Sequence, residues 1–441
     1  MSVRFDSSLS ILTAILSRRF SPEQVARAAL IRDASGRLSA IMADRMGAEV
    51  LGEVATEIRD ELKTYARPDA TIRDADATGA RRLLDEAAQV PPVIVNDMAI
   101  RLLDRRIVGS EWLKPPARTA TGIPRVVFAS VKGGVGRSTA LSVVAAHLSQ
   151  RGRRVLVVDF DLEAPGLGTM LLNEDAMPPF GTLDYLVENG LSDIDGTFLA
   201  DMSGDSFLGS EGGRVAVIPA VGKATFDNAS SALSKIARAY LDKPDDSGSV
   251  LTLTDQLRQM IGLFEATGAY DAVLIDARAG LHETTPAAIL GLGADVLLFG
   301  TDQPQTFLGY RLLFAALARF PVDPEDDWRE RLNFVHAKAS DDDDKLKTAS
   351  ERFTSLYNLL IAPARPAHEE IEPLTAADFD VEWTDATPQD DEPFSPPQIL
   401  RVLDDARYRD FDPLSDRRLL ETGTRAATFA DLIAYIDGAV P

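Results

Sequence analysis

The sequence predicts an α/β fold in which a mostly parallel sheet carries helices on both faces, preceded by a smaller N-terminal α/β domain. From residue 125 onward, short and almost wholly apolar runs alternate with stretches of helical periodicity, as is typical of parallel strands buried on both faces. A segment rich in proline and small residues separates this pattern from the start of the chain. We therefore predict an accessory or regulatory domain over 1–113, a linker over 114–124 and the larger domain over 125–441.

Local signals define the elements of both domains. In the first, Ser21, Pro22 and Gln24 form a helix N-cap with a capping box, and the turn Asp33–Gly36 between two apolar runs predicts a hairpin. In the second, predicted strands cover 125–130, 154–160, 214–219, 272–276, 294–299 and 332–335. Predicted helices of the second domain cover 138–150, 253–267 and 426–436.

Composition excludes several classes of function. The 441 residues include 68 acidic side chains against 46 lysines and arginines, and the net charge of −22 opposes non-specific binding to DNA and to anionic membranes. No apolar run approaches a membrane span. The segment 368–397 is rich in acidic residues and prolines, which predicts an acidic surface loop.

The sequence contains no cysteine. Disulfides, thiolate zinc sites and cysteine-ligated iron–sulfur clusters are therefore excluded. This also excludes the classes of protein that transfer electrons or carry clusters by means of cysteine ligands. A chain without disulfides fits a reducing cytoplasm, where we expect it to act. His147, His282 and His336 lack thiolate partners, so we interpret them as packed or surface side chains rather than zinc ligands.

A glycine-rich loop follows the first predicted strand of the larger domain and leads into a helix. Glycines let the backbone turn tightly and aim N–H groups at an anion, and the helix adds the positive end of its dipole. Lys132 and Arg137 supply cations, and Ser138 stands where a hydroxyl reaches a phosphate-bound Mg²⁺. The predicted phosphate contacts are Lys132, Gly133, Gly134, Val135, Gly136, Arg137, Ser138 and Thr139.

This loop, KGGVGRST, resembles the deviant Walker A motif KGGxGK[ST] of ParA/MinD-type P-loop ATPases. In that family the first lysine, here Lys132, typically reaches across an ATP-sandwiched dimer to the partner's phosphates. Two positions depart from the family: Arg137 replaces the usual loop lysine, and Val131 replaces the usual first glycine. The sequence fits an arginine-variant group, KGGVGR. Over 123–338 the resemblance implies the ParA/MinD-like (SIMIBI) P-loop fold, with ATP and Mg²⁺ as cofactors.

Arg137 leaves the activity open between three interpretations. Arginine is a planar fork where lysine is a compact point charge, so it can neutralise phosphate but places that charge differently in the transition state. The working hypothesis is slow hydrolysis, with Lys132, Arg137 and Asp161 as catalytic residues. The alternatives are a nucleotide-binding switch with little turnover and a degenerate site that binds no nucleotide.

Two further segments resemble the switch regions of the family. In Val158–Gly166, Asp161 matches the acid that orients the attacking water. Asp159 matches an acid that supports the coordination shell of Mg²⁺. In Tyr270–Gly280, Asp276 matches the Walker B acid that holds Mg²⁺ through a water. Gly280 matches the residue whose N–H donates toward the γ-phosphate. Ala337 stands where the family often has an adenine-reading asparagine, so base selectivity is not predicted.

The resemblance implies an ATP-dependent homodimer that recruits or controls an unidentified protein partner. The net charge disfavours the DNA binding of ParA-like relatives, and the last predicted helix lacks the lysines and arginines by which MinD-like relatives bind membranes. Alternatives are a localisation or assembly scaffold with weak or no ATPase activity, an ATP-dependent metabolic enzyme such as an amidoligase, and a component of a multi-gene defence or signalling system.

Overall fold

A computed structural model of the protein describes residues 3–210, 212–244, 250–361, 394 and 396–441. Nearly all of the predicted acidic loop at 368–397 lies outside them. Contacts divide the chain into two compact units, built mainly from the residues up to Ser110 and from those beyond it. Among the described residues, no helix combines the length and the apolar character needed to cross a bilayer.

The smaller unit is a sheet with the strand order β3-β2-β1-β5-β4 and helices on both faces. The predicted capping box is confirmed, since Ser21 Oγ accepts the Gln24 N–H and Gln24 Oε1 accepts the Ser21 N–H at 3.1 Å. The predicted hairpin is confirmed by the antiparallel pairing of β1 and β2. Its elements are α1 Phe5–Arg19, α2 Pro22–Arg27, β1 Ala29–Arg32, β2 Leu38–Ile41, α3 Ala48–Leu62, β3 Ile72–Arg73, α4 Ala80–Ala88, β4 Val93–Val95 and β5 Met98–Asp104.

The larger unit is a mostly parallel α/β sheet, as the sequence predicts. Within the described residues it has eight strands in the order β15-β14-β13-β6-β12-β7-β9-β8, and the edge strand β8 runs antiparallel to its neighbour. The strands are β6 Arg125–Ser130, β7 Arg154–Asp159, β8 Gly204–Asp205, β9 Arg214–Ile218, β12 Ala272–Ala279, β13 Asp295–Gly300, β14 Leu332–Ala339 and β15 Leu400–Leu403; a separate hairpin pairs β10 Lys243–Pro244 with β11 Val250–Leu251.

Helices cover both faces of this sheet. Alternate side chains of the central strands pack with α5 and α15 on one face, and the intervening ones pack against α12, α13 and α14 on the other. The helices are α5 Arg137–Gln150, α6 Leu167–Leu171, α7 Thr182–Glu188, α8 Gly196–Ala200, α9 Lys223–Asp227, α10 Ala232–Ala239, α11 Leu253–Glu265, α12 Thr284–Leu290, α13 Pro304–Leu317, α14 Asp343–Ile361 and α15 Thr422–Ala439.

Several strand ends and one helix differ from the prediction. β12 and β14 run past their predicted ends at residues 276 and 335, because backbone pairing continues where the side chains turn polar. Each extension passes a shift in register, between Asp276 and Ala279 and between Ala337 and Ala339. α15 is longer than predicted and includes Arg425, a buried side chain that donates to the Leu420 carbonyl.

The segment predicted as an extended linker, 114–124, has no regular secondary structure but is hydrogen-bonded to the larger unit. The Ala117 N–H donates to the Leu290 carbonyl at 2.7 Å, and the Ala120 N–H donates to the Gly293 carbonyl at 2.9 Å. Arg331 Nη2 donates to the Ala117 carbonyl at 2.6 Å. The segment is therefore fixed to the larger unit by hydrogen bonds and does not hang free as a linker.

Candidate nucleotide site

The glycine-rich loop connects the carboxyl end of β6 to the first turn of α5. Gly134 and Gly136 have φ angles of +75° and +90°, which favour glycine over residues with a side chain. Val135 is buried in the core and anchors the loop. The residues predicted to contact phosphate thus form one turn at a helix N-terminus, where free N–H groups suit an anion.

Arg137 and Ser138 both contact Asp276 at the end of this loop. Arg137 Nε lies 2.5 Å from Asp276 Oδ1, and the Ser138 hydroxyl donates to Asp276 Oδ2 at 2.6 Å. Arg137 Nη1 also donates to the hydroxyl of Ser130 at 3.0 Å. The side chains of Arg137 and Asp276 are only 11% and 4% exposed. Three residues that the sequence assigns to the phosphates and the metal thus form one cluster.

Asp159 lies beside Asp276 because β12 pairs with β7 in a register that places these two residues opposite each other. Its carboxylate is buried and accepts the N–H groups of Asp161 and Leu167 at 2.9 and 3.2 Å. Burial, with the nearby charge of Asp276, raises the pKa of Asp159 to about 8. The surroundings of this carboxyl therefore favour its protonated form.

Asp161 occupies the turn that follows β7. Its Oδ1 atom accepts the Ala164 N–H at 3.2 Å, and the Arg278 guanidinium approaches the same atom at 3.9 Å. Burial raises the pKa of Asp161, against the opposing effects of the Ala164 N–H and of Arg137 and Arg278. The carboxylate thus faces the same end of the sheet as Asp276.

Two lysines flank the loop. Lys132 Nζ donates to the Gln303 side-chain oxygen at 3.1 Å, and Lys338 Nζ donates to the Gly134 carbonyl at 2.9 Å. Lys338 has a φ of +53° at the register shift in β14, an uncommon conformation for a residue with a side chain. Sequence reasoning missed Lys338, although a lysine directly after Ala337 was available as a signal.

Gly280 ends the extension of β12. Its φ is +92°, and its N–H donates to the Ser130 carbonyl at 2.8 Å. The predicted donation toward a γ-phosphate therefore requires this hydrogen bond to open. Ser130 thus contacts both Arg137, through its hydroxyl, and Gly280, through its carbonyl, and it joins the loop to the end of β12.

The valine that replaces the usual first glycine of the loop packs against a glycine elsewhere. A Cβ atom at Gly309 of α13 would lie 2.9 Å from both Cβ and Cγ2 of Val131. Real Cβ atoms avoid such distances, so α13 approaches the loop this closely only because residue 309 is glycine.

The donor set suits Mg²⁺. Ser138, Asp159 and Asp276 offer only oxygen ligands, and Mg²⁺ is usually held by one or two carboxylates, a nucleotide's phosphates and water. Among the described residues, no three His, Asp or Glu side chains converge as an independent metal site.

His336 and the region matching the family's base pocket have packing contacts, whereas His147 and His282 contact the carboxylates of Asp437 and Glu163. Burial lowers the pKa of His336, whose ring stacks obliquely on Phe353. Ala337 is buried, and the amide of Asn333 donates to the Tyr435 hydroxyl at 2.9 Å.

Comparison with known proteins agrees with this loop geometry. Residues 124–208 match the family model described as ParA, NUBPL iron-transfer P-loop NTPase. An iron–sulfur cluster carrier protein of Salmonella typhimurium is 28% identical over 173 residues, which are 38% of this chain and 45% of that protein. The chain thus spans less than half the length of this curated relative.

Solved structures of ParA and MinD proteins are similar at low identity. A ParA family ATPase from Chlorobium tepidum is 16% identical with a TM-score of 0.44, and the match covers 71% of this chain and 98% of that one. The cell division ATPase MinD of Pyrococcus furiosus is 17% identical with a TM-score of 0.41, at the same coverage. These TM-scores are too low to support an argument about function. The fold is assigned from the strand order of the sheet and from the glycine-rich loop.

The curated relative is named for carrying clusters and not for recruiting a partner. The chain has no cysteine, so it offers no thiolate for ligating an iron–sulfur cluster. The phosphate loop lies within the segment 124–208 that matches the family model.

The contact between Val131 and Gly309 generates a prediction on stability. Gly309→Ala should lower the free energy of unfolding by about 1–3 kcal/mol through overpacking. In a Val131→Gly background the same change should instead be neutral or stabilising by up to about 1 kcal/mol, because only its helix propensity remains. Urea denaturation of the four proteins measures both effects.

Gly262→Ala is the matched control for that cycle. Gly262 lies inside α11 with open space at its Cβ position, so alanine there should stabilise by up to about 1 kcal/mol. Equal effects of Gly309→Ala with and without Val131 would contradict the proposed packing.

The buried carboxyl of Asp159 predicts a pH dependence of stability. Its pKa is raised from 3.8 to about 8, so its contribution to folding is complete below pH 4 and is lost as the pH rises toward 8. Asp159→Asn should therefore gain stability relative to wild type over this interval, by at most about 1.4 kcal/mol per pH unit. Urea denaturation at pH 5 and pH 8 tests this, with the exposed Asp175→Asn as control; a constant difference at both pH values would contradict it.

Proposed function

We propose that this protein is an ATP-binding, slowly hydrolysing switch that dimerises when ATP is bound and acts through a protein partner. The observation that carries this proposal is the cluster of Arg137, Ser138 and Asp276 beneath the phosphate loop. It joins a phosphate-binding cation, a metal-binding hydroxyl and a metal-binding carboxylate at the carboxyl edge of a parallel sheet, where such folds bind ligands.

Phosphate capture is supported by local charge. The chain carries −22 overall, yet Lys132, Arg137 and Lys338 all surround the loop. Because salt screens charge over about 10 Å, these nearby cations act on the loop more strongly than the distant acids do, and Arg137 offsets the charge of Asp276 within the site. The loop N–H groups and the N-terminus of α5 add neutral donors to the phosphates.

Mg²⁺ would be held by Ser138 and Asp276, with Asp159 beside them, and it would neutralise charge on the phosphates. Both oxygens of Asp276 are already engaged, one by Arg137 and one by Ser138. We propose that the nucleotide's phosphates attract Arg137 away from Asp276, so that the carboxylate becomes available only after ATP has bound.

For hydrolysis, Asp161 is proposed to orient the attacking water. Its carboxylate follows β7, whose neighbour β12 carries Asp276, so both acids lie at the same end of the sheet. Orienting a water needs an acceptor and no strong nucleophile, which suits a carboxylate.

Dimerisation is proposed to use Lys132. Its ammonium contacts only one neutral acceptor among the described residues, Gln303, at 3.1 Å. Exchanging that bond for a partner's phosphate costs little and gains a charge-assisted contact.

A second candidate is a switch that binds ATP with little turnover. The observation in its favour is that the Arg137 guanidinium already donates to Asp276 and to Ser130. Arg137 must give up both hydrogen bonds to reach the phosphates, and this cost favours a switch with little turnover.

Turnover measurements separate the two candidates. With Mg²⁺ and ATP, wild type should hydrolyse slowly, Arg137→Lys should be faster, and Asp161→Ala should lose at least about 100-fold in kcat while still binding ATP. ATP binding without turnover in all three proteins would favour the second candidate. Absence of ATP binding would reject both.

The dimer is tested in the Asp161→Ala background, which should trap ATP. Light scattering should find a dimer with ATP and a monomer without it, and Lys132→Ala should restore the monomer while ATP still binds. A dimer that persists after Lys132→Ala would contradict the role of this lysine in dimerisation.

A further inference from the structure

Arg278 lies at a bulge beside the proposed site. In the pairing of β12 with β6, Asp276 faces Phe128 and Ala279 faces Ser130, so β12 contains one extra residue between these points. Bulges next to active sites redirect a side chain that regular alternation would aim elsewhere. Here the bulge falls between the proposed metal-binding Asp276 and Gly280.

The Arg278 guanidinium contacts two carboxylates of the segment after β7. Its Nε lies 3.9 Å from Asp161 Oδ1, and its Nη1 forms an ion pair with Glu163 Oε2. The side chain is 24% exposed, so the pairs are partly shielded from water. The guanidinium thus pairs closely with Glu163 and lies within ion-pair distance of Asp161, and the contact to Asp161 is electrostatic because 3.9 Å is too long for a hydrogen bond.

Glu163 is itself held by two other elements. The Tyr240 hydroxyl, just after α10, donates to Glu163 Oε1 at 3.1 Å, and His282 Nε2, just before α12, lies 3.0 Å from the same atom. The rings of Tyr240 and His282 pack edge to face at 5.5 Å. Glu163 therefore gives Arg278 a fixed anchor that is separate from Asp161.

We infer that Arg278 is a positioning residue for the proposed hydrolysis, which holds the Asp161 carboxylate in the direction of the attacking water. The inference rests on the proposed function. Arg137 and Arg278 both lie near Asp161. When Arg137 moves to the phosphates, Arg278 stays beside Asp161, because Glu163 anchors it. Without Arg278, the carboxylate keeps only the Ala164 N–H as a fixed partner among the described residues.

A loss of position, and not of affinity, is the expected effect of removing this side chain. Arg278→Ala should lower kcat for ATP about 10- to 100-fold, the range expected for a misplaced catalytic group. The Kd for a fluorescent ATP analogue should stay within about threefold of wild type, since the ion pairs of Arg278 go to Asp161 and Glu163 and not to residues of the phosphate loop. Arg278→Lys should recover only part of kcat.

A double-mutant cycle decides whether Arg278 acts through Asp161. We expect Asp161→Asn with Arg278→Ala to be no slower than Asp161→Asn alone, because the residue being positioned is already lost. Multiplied defects, or a raised Kd with unchanged kcat, would overturn the inference. Arg154→Ala is the matched control: it breaks an arginine–aspartate pair with Asp271 at the opposite end of β12 and should leave kcat unchanged.

The same experiment separates this inference from the proposed function. No turnover by wild type would overturn the proposed function and the inference with it. Full turnover by Asp161→Asn would remove Asp161 from its proposed role and overturn the inference, while the ATPase activity itself would stand. Turnover that Asp161→Asn abolishes and Arg278→Ala leaves intact would overturn the inference alone.

Discussion

The ion pair between Arg137 and Asp276 is the interaction on which the rest of the site depends. Because β12 lies between β6 and β7, two carboxyls, Asp276 and Asp159, meet at the buried end of the sheet. Two buried carboxylates side by side lose hydration and repel each other. The fold meets this in two ways: Arg137 neutralises Asp276, and burial raises the pKa of Asp159 to about 8, which favours its protonated form. Moving Arg137 therefore leaves the charge of Asp276 uncompensated.

The two departures from the ParA/MinD loop pattern each have a structural partner. The guanidinium at Arg137 donates along two directions, to Asp276 and to Ser130, which a single ammonium does not reproduce in one plane. The valine at 131 is accommodated by the missing side chain at Gly309. Neither substitution leaves a hole or an unpaired charge, so the loop is a packed variant of the pattern. This favours a retained ligand-binding role over decay of the site.

The sequence was sufficient for the order of strand, loop and helix and for the parallel sheet, because apolar runs and glycines are local signals. It failed where the contacts are distant in the chain. The strands of Asp276 and Lys338 continue through bulges that interrupt the apolar pattern. The pairing of Lys132 with Gln303 and the packing of Gly309 join residues that are far apart in sequence. Only the register of the folded sheet brings such residues together.

Arg137 and Arg278 are two arginines near Asp161 that pair with different carboxylates. Both influence the charge of Asp161, but their anchors differ. Arg137 is held by Asp276, a group that a metal competes for, whereas Arg278 is held by Glu163, which Tyr240 and His282 fix from two other elements. Under the proposed function, phosphates compete with Asp276 for Arg137 and Mg²⁺ competes with Arg137 for Asp276, whereas neither is proposed to bind Glu163, the anchor of Arg278. We therefore propose that Arg137 responds to nucleotide binding while Arg278 keeps its position beside Asp161.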